Sequence, residues 1–288
     1  MSGFKGIIKK ALSKYASDKM FIWATMSYAL GYRINLTNPK TFNEKLNWLK
    51  LHDHNPLYPK LADKYEAKKI VGEMIGEEHI VPCYAVWDSP DDIDISNLPN
   101  QFVIKGTHDS CSTVVCRDKN TVDIEQIKQH FRETQSINYY EALREWVYKE
   151  IKPRIIADKF LDDGSGLEIQ DYKWWCFNGV PKIMYFTNRG VEGQCYENFY
   201  DMDFKPLPIN HGFPRKSPEY EKPDAFEEMR DLAGKISSNI PFVRVDFFVV
   251  NGQVYFGECT FYDWGGGHPF ETKEMDLELG KLIKLPIE

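Results

Sequence analysis

Three residues near the end of the chain hold the most chemistry for their spacing. In FVRVDFFVVNGQVYFGECTF, residues 242–261, two β-rich runs flank Asn251-Gly252, the dipeptide that most strongly signals a two-residue hairpin. Asp246 lies in the first run and Glu258 in the second, with residue 252 midway, so the two acids are expected to face each other across the ladder. Side chains alternate along a strand, which puts Arg244 with Asp246 on one face and Glu258 with Thr260 on one face. Carboxylates among apolar strand residues are costly unless a cation or an ion pair neutralises them. Oxygen ligands of this kind suit Mg²⁺, which binds through one or two carboxylates plus substrate phosphates. The plain alternative is a buried network of Arg244, Asp246 and Glu258 that only ties strands together.

A second group sits earlier. Lys105 ends the run QFVIK and leads into GTHDSCS, residues 106–112. A lysine leaving a strand into such a turn can meet a phosphate while the turn's N–H groups cradle it. There is no GxxxxGK[ST], so this is not a Walker loop. In ADKFL, residues 157–161, a strand runs into an acidic glycine turn. Its edge backbone can pair with an adenine ring, with Phe160 and Leu161 as an apolar wall. Each feature also has a bland reading, as a solvated lysine or an ordinary strand end. His108 contacts phosphate, moves a proton or is a simple loop residue. Cys111 and Cys259 have no His–acid partner nearby in sequence, so thiol catalysis is not expected.

Elements must position these groups. Helical periodicity is read over 2–30, 35–51, 58–76, 123–151 and 219–239. The first has Phe4, Ile7, Ile8, Leu12 and Tyr15 on one face, and Thr41 with Glu44 forms a capping box for the second. Pro153 stops the fourth. Strands are read at 81–87, 101–105, 113–116 and 154–161, with a hairpin at 171–186 around Asn178-Gly179. Two hairpins, intervening helices and few βαβ units indicate an α+β protein with antiparallel sheets.

Composition bounds the rest. The 288 residues suggest about two domains. Lys plus Arg number 36 against 43 Asp plus Glu, a net charge of −7 that gives no global attraction to nucleic acid. The longest apolar run, residues 20–32, is too short for a spanning helix, which needs roughly 20 residues. Six cysteines form no CxxC and no zinc or disulfide pattern, which reads as free thiols. Lys5, Lys9, Lys10, Lys14 and Lys19 make the N-terminus basic. It lacks a clean signal cleavage site, so a cytoplasmic protein is expected. Its first helix is read as packed, or as resting on an anionic membrane surface.

Taken in order, FNEKLNWLKLHDHNPLYPKLADKYEAKKIV (42–71), FVIKGTHDSCSTVV (102–115), RIIADKFL (154–161), DYKWWCFNG (171–179) and VRVDFFVVNGQVYFGECTF (243–261) resemble the ATP-grasp family. The resemblance is closest to its TupA-like subgroup from surface-polysaccharide gene clusters. It implies an ATP-grasp fold whose two subdomains sandwich the nucleotide. A helical region spans 1–60, a small subdomain with the phosphate loop 61–160, and a large one with the metal site 161–288. It implies ATP and Mg²⁺ as cofactors. Lys105 and Lys64 hold phosphates, with Lys68 a second candidate for the latter role. Gly106, Ser110 and Ser112 belong to the closing loop. Lys159, Phe160 and Leu161 form the adenine hinge, and Asp162, Asp163 or Glu168 takes the ribose. Lys173 approaches the base or phosphate. Asp246 and Glu258 are the metal ligands, with Thr260 where the family often has Asn, and Arg244 stabilises the transferred phosphoryl. A DWGGG stretch (263–267) replaces the usual Pro-Gly turn.

The activity implied is carboxylate–amine ligation through an acyl phosphate. It joins an amino acid or amine to a uronic-acid-containing glycan. Trp174, Trp175, Tyr185, Tyr196, Phe199, Tyr200, Tyr262 and Trp264 either stack on sugar or pack the core. The rivals are a glycosyltransferase, using Asp201-Met202-Asp203 as a DxD pair, and a nucleotide-binding protein without catalysis.

Overall fold

A computed structural model describes residues 14–109, 112–164, 169–189, 195–215 and 220–286. Two antiparallel sheets organise it, as the α+β expectation required. The smaller has the order β1-β4-β2-β3, from β1 (Cys83–Trp87), β2 (Phe102–Gly106), β3 (Val114–Cys116) and β4 (Ile155–Lys159). The larger contains β5 (Asp171–Phe177), β6 (Val180–Arg189), β7 (Cys195–Tyr200), β8 (Pro206–Leu207), β9 (Phe242–Val250) and β10 (Gln253–Thr260). Its order is β10-β9-β5-β6-β7-β8. Strands β7 and β8 were not anticipated.

The helices are α1 (Asp18–Leu30), α2 (Phe42–His52), α3 (Leu57–Ala62), α4 (Glu66–Ile75), α5 (Ile124–Gln135), α6 (Tyr139–Leu143), α7 (Phe226–Ile236) and α8 (Lys273–Leu282). The Thr41–Glu44 capping box forms as read. Three of the expected helices are broken. Residues 1–13 lie outside the described part, and Ser17, in extended conformation, caps a new start at α1. The run at 58–76 splits at Asp63, whose carboxylate accepts from the N–H of Tyr65 at 2.8 Å and of Glu66 at 3.1 Å. A short aspartate side chain competing for backbone donors ends one helix and begins the next. The run at 123–151 breaks after Gln135, and Asn138 caps α6.

Each sheet has its own core. Phe102 and Ile104 of β2 and Ile155 and Ala157 of β4 pack under Ile127 and Phe131 of α5. Strand alternation therefore turns Val103, Lys105 and Asp158 to the opposite face. The larger core buries Trp174, Trp175, Phe177, Phe242 and Phe247 against Phe42 and Leu46 of α2 and Phe226 of α7. Tyr58, Leu61 and Val71 join it, so α3 and α4 pack on the large sheet. Helix α1 packs in a separate cluster of Phe21, Ile22, Met26 and Leu30.

Candidate active site

The site forms where the cleft face of the small sheet meets one face of the large one. A cleft of about 500 Å³ is lined by Val103, Lys105, Val115, Asp158, Lys159, Phe160 and Leu161 from one side and Phe248 from the other. All three hinge residues read from sequence lie here, with Lys159 exposed. Arg117, over the Phe160 ring at 5.2 Å, lines the same wall. Asp162 lines the cleft as well, whereas Glu168 lies outside the described residues.

Lysines gather at one end. Lys105 and Lys68 approach the same Asp158 oxygen at 2.9 and 3.0 Å. Lys68 also donates to the Val81 carbonyl at 2.7 Å, and burial pulls its pKa down while Asp158 opposes the shift. Lys64 is held in the break between α3 and α4. Its N–H bonds the Thr107 carbonyl at 3.0 Å, and its ammonium donates to the Asp109 carbonyl. Arg154 clamps the break from behind, pairing with Asp63 and Glu66 at 2.9 Å each. The loop after β2 folds on itself: Ser112 Oγ accepts from the Gly106 N–H at 2.9 Å and donates to Asp109 at 2.6 Å. A Cβ on Gly106 would lie 2.4 Å from the Asp109 carboxylate, which would have to shift and loosen its bond to Ser112. Ser110 lies outside the described residues. His108 is buried edge-on to Tyr139, and neither ring nitrogen has a partner among the described residues.

The large sheet supplies the opposing wall. Partners across a ladder project to the same face. The register pairs Glu258 with Asp246 and Thr260 with Arg244, then Lys173 with Asp246 and Trp175 with Arg244. Arg244 grips Asp246 with two bonds of 2.7 Å and reaches Asp263 at 2.7 Å and Glu258 at 3.0 Å. Lys173 bonds Asp171 and stands 3.6 Å from Asp246. Lys64 crosses from the other side to within 3.6 Å of Glu258. Burial pushes the Glu258 carboxyl up, but Lys64, Arg244, Lys173 and Lys105 overcome it and hold it at about 2. Burial also opposes the charge on Arg244, and Asp246 and Asp263 overcome that too, holding it well above its ordinary value.

Glu258 reaches this position through a bulge. The ladder runs Gln253↔Val250 to Phe256↔Phe247, then skips to Glu258↔Asp246. Gly257 is the extra residue, and a Cβ there would sit 3.0 Å from the Asp246 carbonyl oxygen. Without the skip Asp246 would face residue 257, and Glu258 would turn to the other side of the sheet.

The donor set fits Mg²⁺. Asp246 and Glu258 offer only oxygen, side by side, and the Glu258 side chain remains 35% exposed. Among the described residues no group of three or more His, Cys, Asp or Glu could hold a metal, but a magnesium ion shared with phosphates needs only one or two carboxylates. Thr260 Oγ1 lies 3.4 Å from Glu258, so its hydroxyl orients that ligand.

Sequence reasoning missed Asp158, which lay inside the quoted ADKFL as an acid within a β-rich run. It also passed over Asp263, inside DWGGG and wholly buried. Both signals were present: an acid in an apolar strand or turn needs a partner. Other readings fall away. Burial pushes the Cys259 thiol far up, which suits no nucleophile. Asp201 and Asp203 build a tight turn, in which Asp201 accepts from the N–H groups of Asp203 and Lys205 at 2.9 and 2.8 Å. Of the aromatics considered for sugar stacking, Trp174, Trp175, Tyr185, Phe199, Tyr200 and Tyr262 are core residues, while Trp264 is 44% exposed.

Lys105 from the small sheet, Lys64 from the helix break and Arg244 from the large sheet, gathered around Asp246 and Glu258, suit a site for phosphoryl transfer from a nucleotide. The TupA-like ATP-grasp family matches residues 44–284, and the chain belongs to that family. No curated protein matches it. Among solved structures it is similar to D-alanine–D-alanine ligase from Bacillus anthracis complexed with ATP, at 14% identity and a TM-score of 0.40, covering 86% of this chain and 63% of that one. The corresponding ligase from Helicobacter pylori gives 15% and 0.44, over 84% of this chain and 69% of the other. Biotin carboxylase from Campylobacter jejuni, as a beta-gamma-ATP complex, gives 10% and 0.45, over 85% and 49%. The chain thus spans less than two thirds of the first of these. No helix among the described residues is long and apolar enough to cross a membrane.

Proposed function

We propose that the protein uses ATP to join an amine to a carboxylate through an acyl phosphate. The observation that carries this is the Arg244 fork holding Asp246, Glu258 and Asp263 on the sheet face that Lys64 reaches from the opposite wall. In the first step a substrate carboxylate oxygen attacks the γ-phosphorus, the bond to the β-phosphate oxygen breaks, and ADP leaves. In the second an amine nitrogen attacks the acyl carbon, phosphate departs with the bonding electrons, and the nitrogen gives up one proton. The transferred group carries spread negative charge, and Lys105, Lys64 and Arg244 oppose it from fixed positions. Asp246 and Glu258 would hold Mg²⁺, which when bound supplies further positive charge to the phosphates. Val103, Phe160 and Leu161 offer the adenine an apolar wall. No protein nucleophile is required.

The substrate pair is read from the family's setting: an amino acid or amine joined to a uronic-acid-containing surface polymer or its precursor, in the cytoplasm. An ADP-release assay with amines against uronic-acid glycans tests it. The expected result is release that needs both partners, stops with a magnesium chelator and falls at least about 100-fold in Glu258→Gln. Release of UDP from a sugar nucleotide instead would make the protein a glycosyltransferase. An unchanged cellular effect of Lys105→Ala would leave a binding role only.

A further inference from the structure

One polar corner of the large sheet is not taken by the nucleotide reading. Asp263 follows β10 and is wholly buried. Its Oδ1 accepts from Arg244 at 2.7 Å, while its Oδ2 has no hydrogen-bond partner among the described residues. His211, also wholly buried, holds Nδ1 4.0 Å from that oxygen. The His211 Nε2 lies 3.3 Å from the His268 carbonyl, which can only accept. Nε2 therefore carries the proton and Nδ1 presents a lone pair. Burial pulls His211 down to about 4 against the pull of Asp263, so the ring is neutral.

Glu197 on β7 closes the corner. Its N–H bonds the Pro214 carbonyl at 3.0 Å, docking the segment that carries His211. Its side chain, 2% exposed, places Oε1 3.4 Å from the Thr187 hydroxyl and leaves Oε2 without a partner among the described residues. Burial, and next the charge of Asp263, push its carboxyl up to about 8. Gly212 sits between these groups at φ +110°. A Cβ there would meet only ordinary contacts, 3.4 Å from His268 Nε2 and 3.9 Å from Glu197 Oε2, so the left-handed backbone is what asks for glycine. Trp264 and His268, with rings 4.8 Å apart, border it.

The chemistry of the corner is one-sided. Glu197 Oε2, His211 Nδ1 and Asp263 Oδ2 can all accept, and the one proton among them is the one the raised Glu197 carboxyl keeps at neutral pH, so acceptors outnumber donors, and a buried acceptor left unmet is costly. Two carboxyls also face each other across it, and a cation between them would relieve their repulsion. A primary ammonium brings one positive charge and three N–H donors on one atom, whereas a hydroxyl brings a single donor.

We propose that Glu197, His211 and Asp263 seat the primary ammonium of the amine substrate. Its place in the reaction rests on the ligase reading. Asp263 touches Arg244 with one oxygen and the ammonium with the other, which sets the nitrogen beside the group that steadies the phosphoryl; it becomes the attacking amine by passing one proton to the Glu197 carboxylate and gives up a second as the amide forms.

Saturation-transfer NMR on the purified full chain tests this with methylammonium and tetramethylammonium, cations of equal charge of which only the first has N–H donors. Methylammonium is expected to bind and tetramethylammonium not. Glu197→Gln should weaken methylammonium by about tenfold, the scale of one charge-assisted hydrogen bond, and leave the affinity for a non-hydrolysable ATP analogue unchanged. Equal binding of the two cations by the wild type overturns the pocket with no variant needed, as does an unchanged affinity in Glu197→Gln. Methylammonium binding without binding of the ATP analogue sinks the ligase reading and keeps the pocket. Analogue binding without methylammonium sinks the pocket alone.

Discussion

Two hairpins of the large sheet turn on the same dipeptide and put their second strands to different uses. The β5–β6 turn has Asn178 and Gly179 at φ 51° and 81°, and the β9–β10 turn has Asn251 and Gly252 at 52° and 81°. Positive φ at both central positions is what a two-residue hairpin of natural twist requires. Each second strand then carries one extra residue. In the first hairpin Cys176 pairs with Pro181 and Trp175 with Ile183, so the ladder slips beside the turn, where both strands are packed with aromatics. In the second it slips at Gly257, between the buried aromatics and the carboxylates. The turn decides where pairing begins. The position of the slip decides which side chains share a face, and so whether a hairpin only packs or also carries chemistry.

The sharpest way to break the contrast is to remove the second slip. Valine at position 257 would put a Cβ 3.0 Å from the Asp246 carbonyl oxygen and 3.2 Å from the Phe248 ring, which disfavours the bulge. An unbroken ladder then pairs Asp246 with residue 257 and turns Glu258 to the other side of the sheet. ADP release of Gly257→Val is expected to fall by about 10²–10³-fold, matching Glu258→Gln, because both remove one carboxylate from the phosphoryl site. If Gly257→Val is as active as the wild type, the bulge does not position Glu258. The assay should be run beside thermal melting, since the same slip moves buried Cys259 out of its place in the core.

This bulge also shows what could be read in advance. The turn, the two strands and the facing acids were legible, because Asn-Gly and alternation are local signals. The midpoint at residue 252 gave the right partners, yet a two-residue turn there predicts Asp246 against residue 257. The bulge supplies the missing residue, and nothing in the spacing alone announces it. Lys105, Phe160 and Leu161 were legible for the same local reason. The break at Asp63 was not, because PKLADKYEAKK reads as one helix until the aspartate's capping bonds and the pull of Arg154 are seen together. Glu197 escaped because CYENFY was not recognised as a strand. Its aromatic-rich run was a signal, but its role depends on Asp263 and His211, both distant in sequence.

A smaller effect separates two glutamates on neighbouring parts of the sheet. Glu258, among cations, is held at about 2. Its ionised form is favoured by folding, so that stabilisation is present above the ordinary carboxylate value and disappears as pH falls from about 4.5 toward 2. Glu197 is raised to about 8. Folding favours its protonated form, so stability is lost as pH rises from about 4.5 to 8. Glu197→Gln should therefore raise stability by up to about 4 kcal/mol at pH 7.5 and by less than about 1 kcal/mol at pH 5. Glu258→Gln should flatten the acid limb of the stability profile instead. Melting curves across pH 3–8 read both. A gain for Glu197→Gln that is equal at pH 5 and pH 7.5 would contradict the buried, raised carboxyl.

The smallest effect lies in the turns, where the dipeptides are alike and their surroundings differ. Asn178 donates to the Leu282 carbonyl and accepts from the Lys284 N–H, both at 2.7 Å, tying the first hairpin to the end of α8 and the chain that follows it. Asn251 is exposed at a solvent-facing tip, with open space around Gly252. Alanine at either position must take the left-handed conformation, which asparagine tolerates better. Asn251→Ala should therefore cost about 0.7 kcal/mol, and Asn178→Ala about 1.5 kcal/mol once its two hydrogen bonds are counted. For a chain of this size that is a difference of about 2–3 °C in Tm. The order matters more than the size. Equal losses would mean that the contact with the C-terminal segment adds nothing, and that the two turns differ only in what their strands carry.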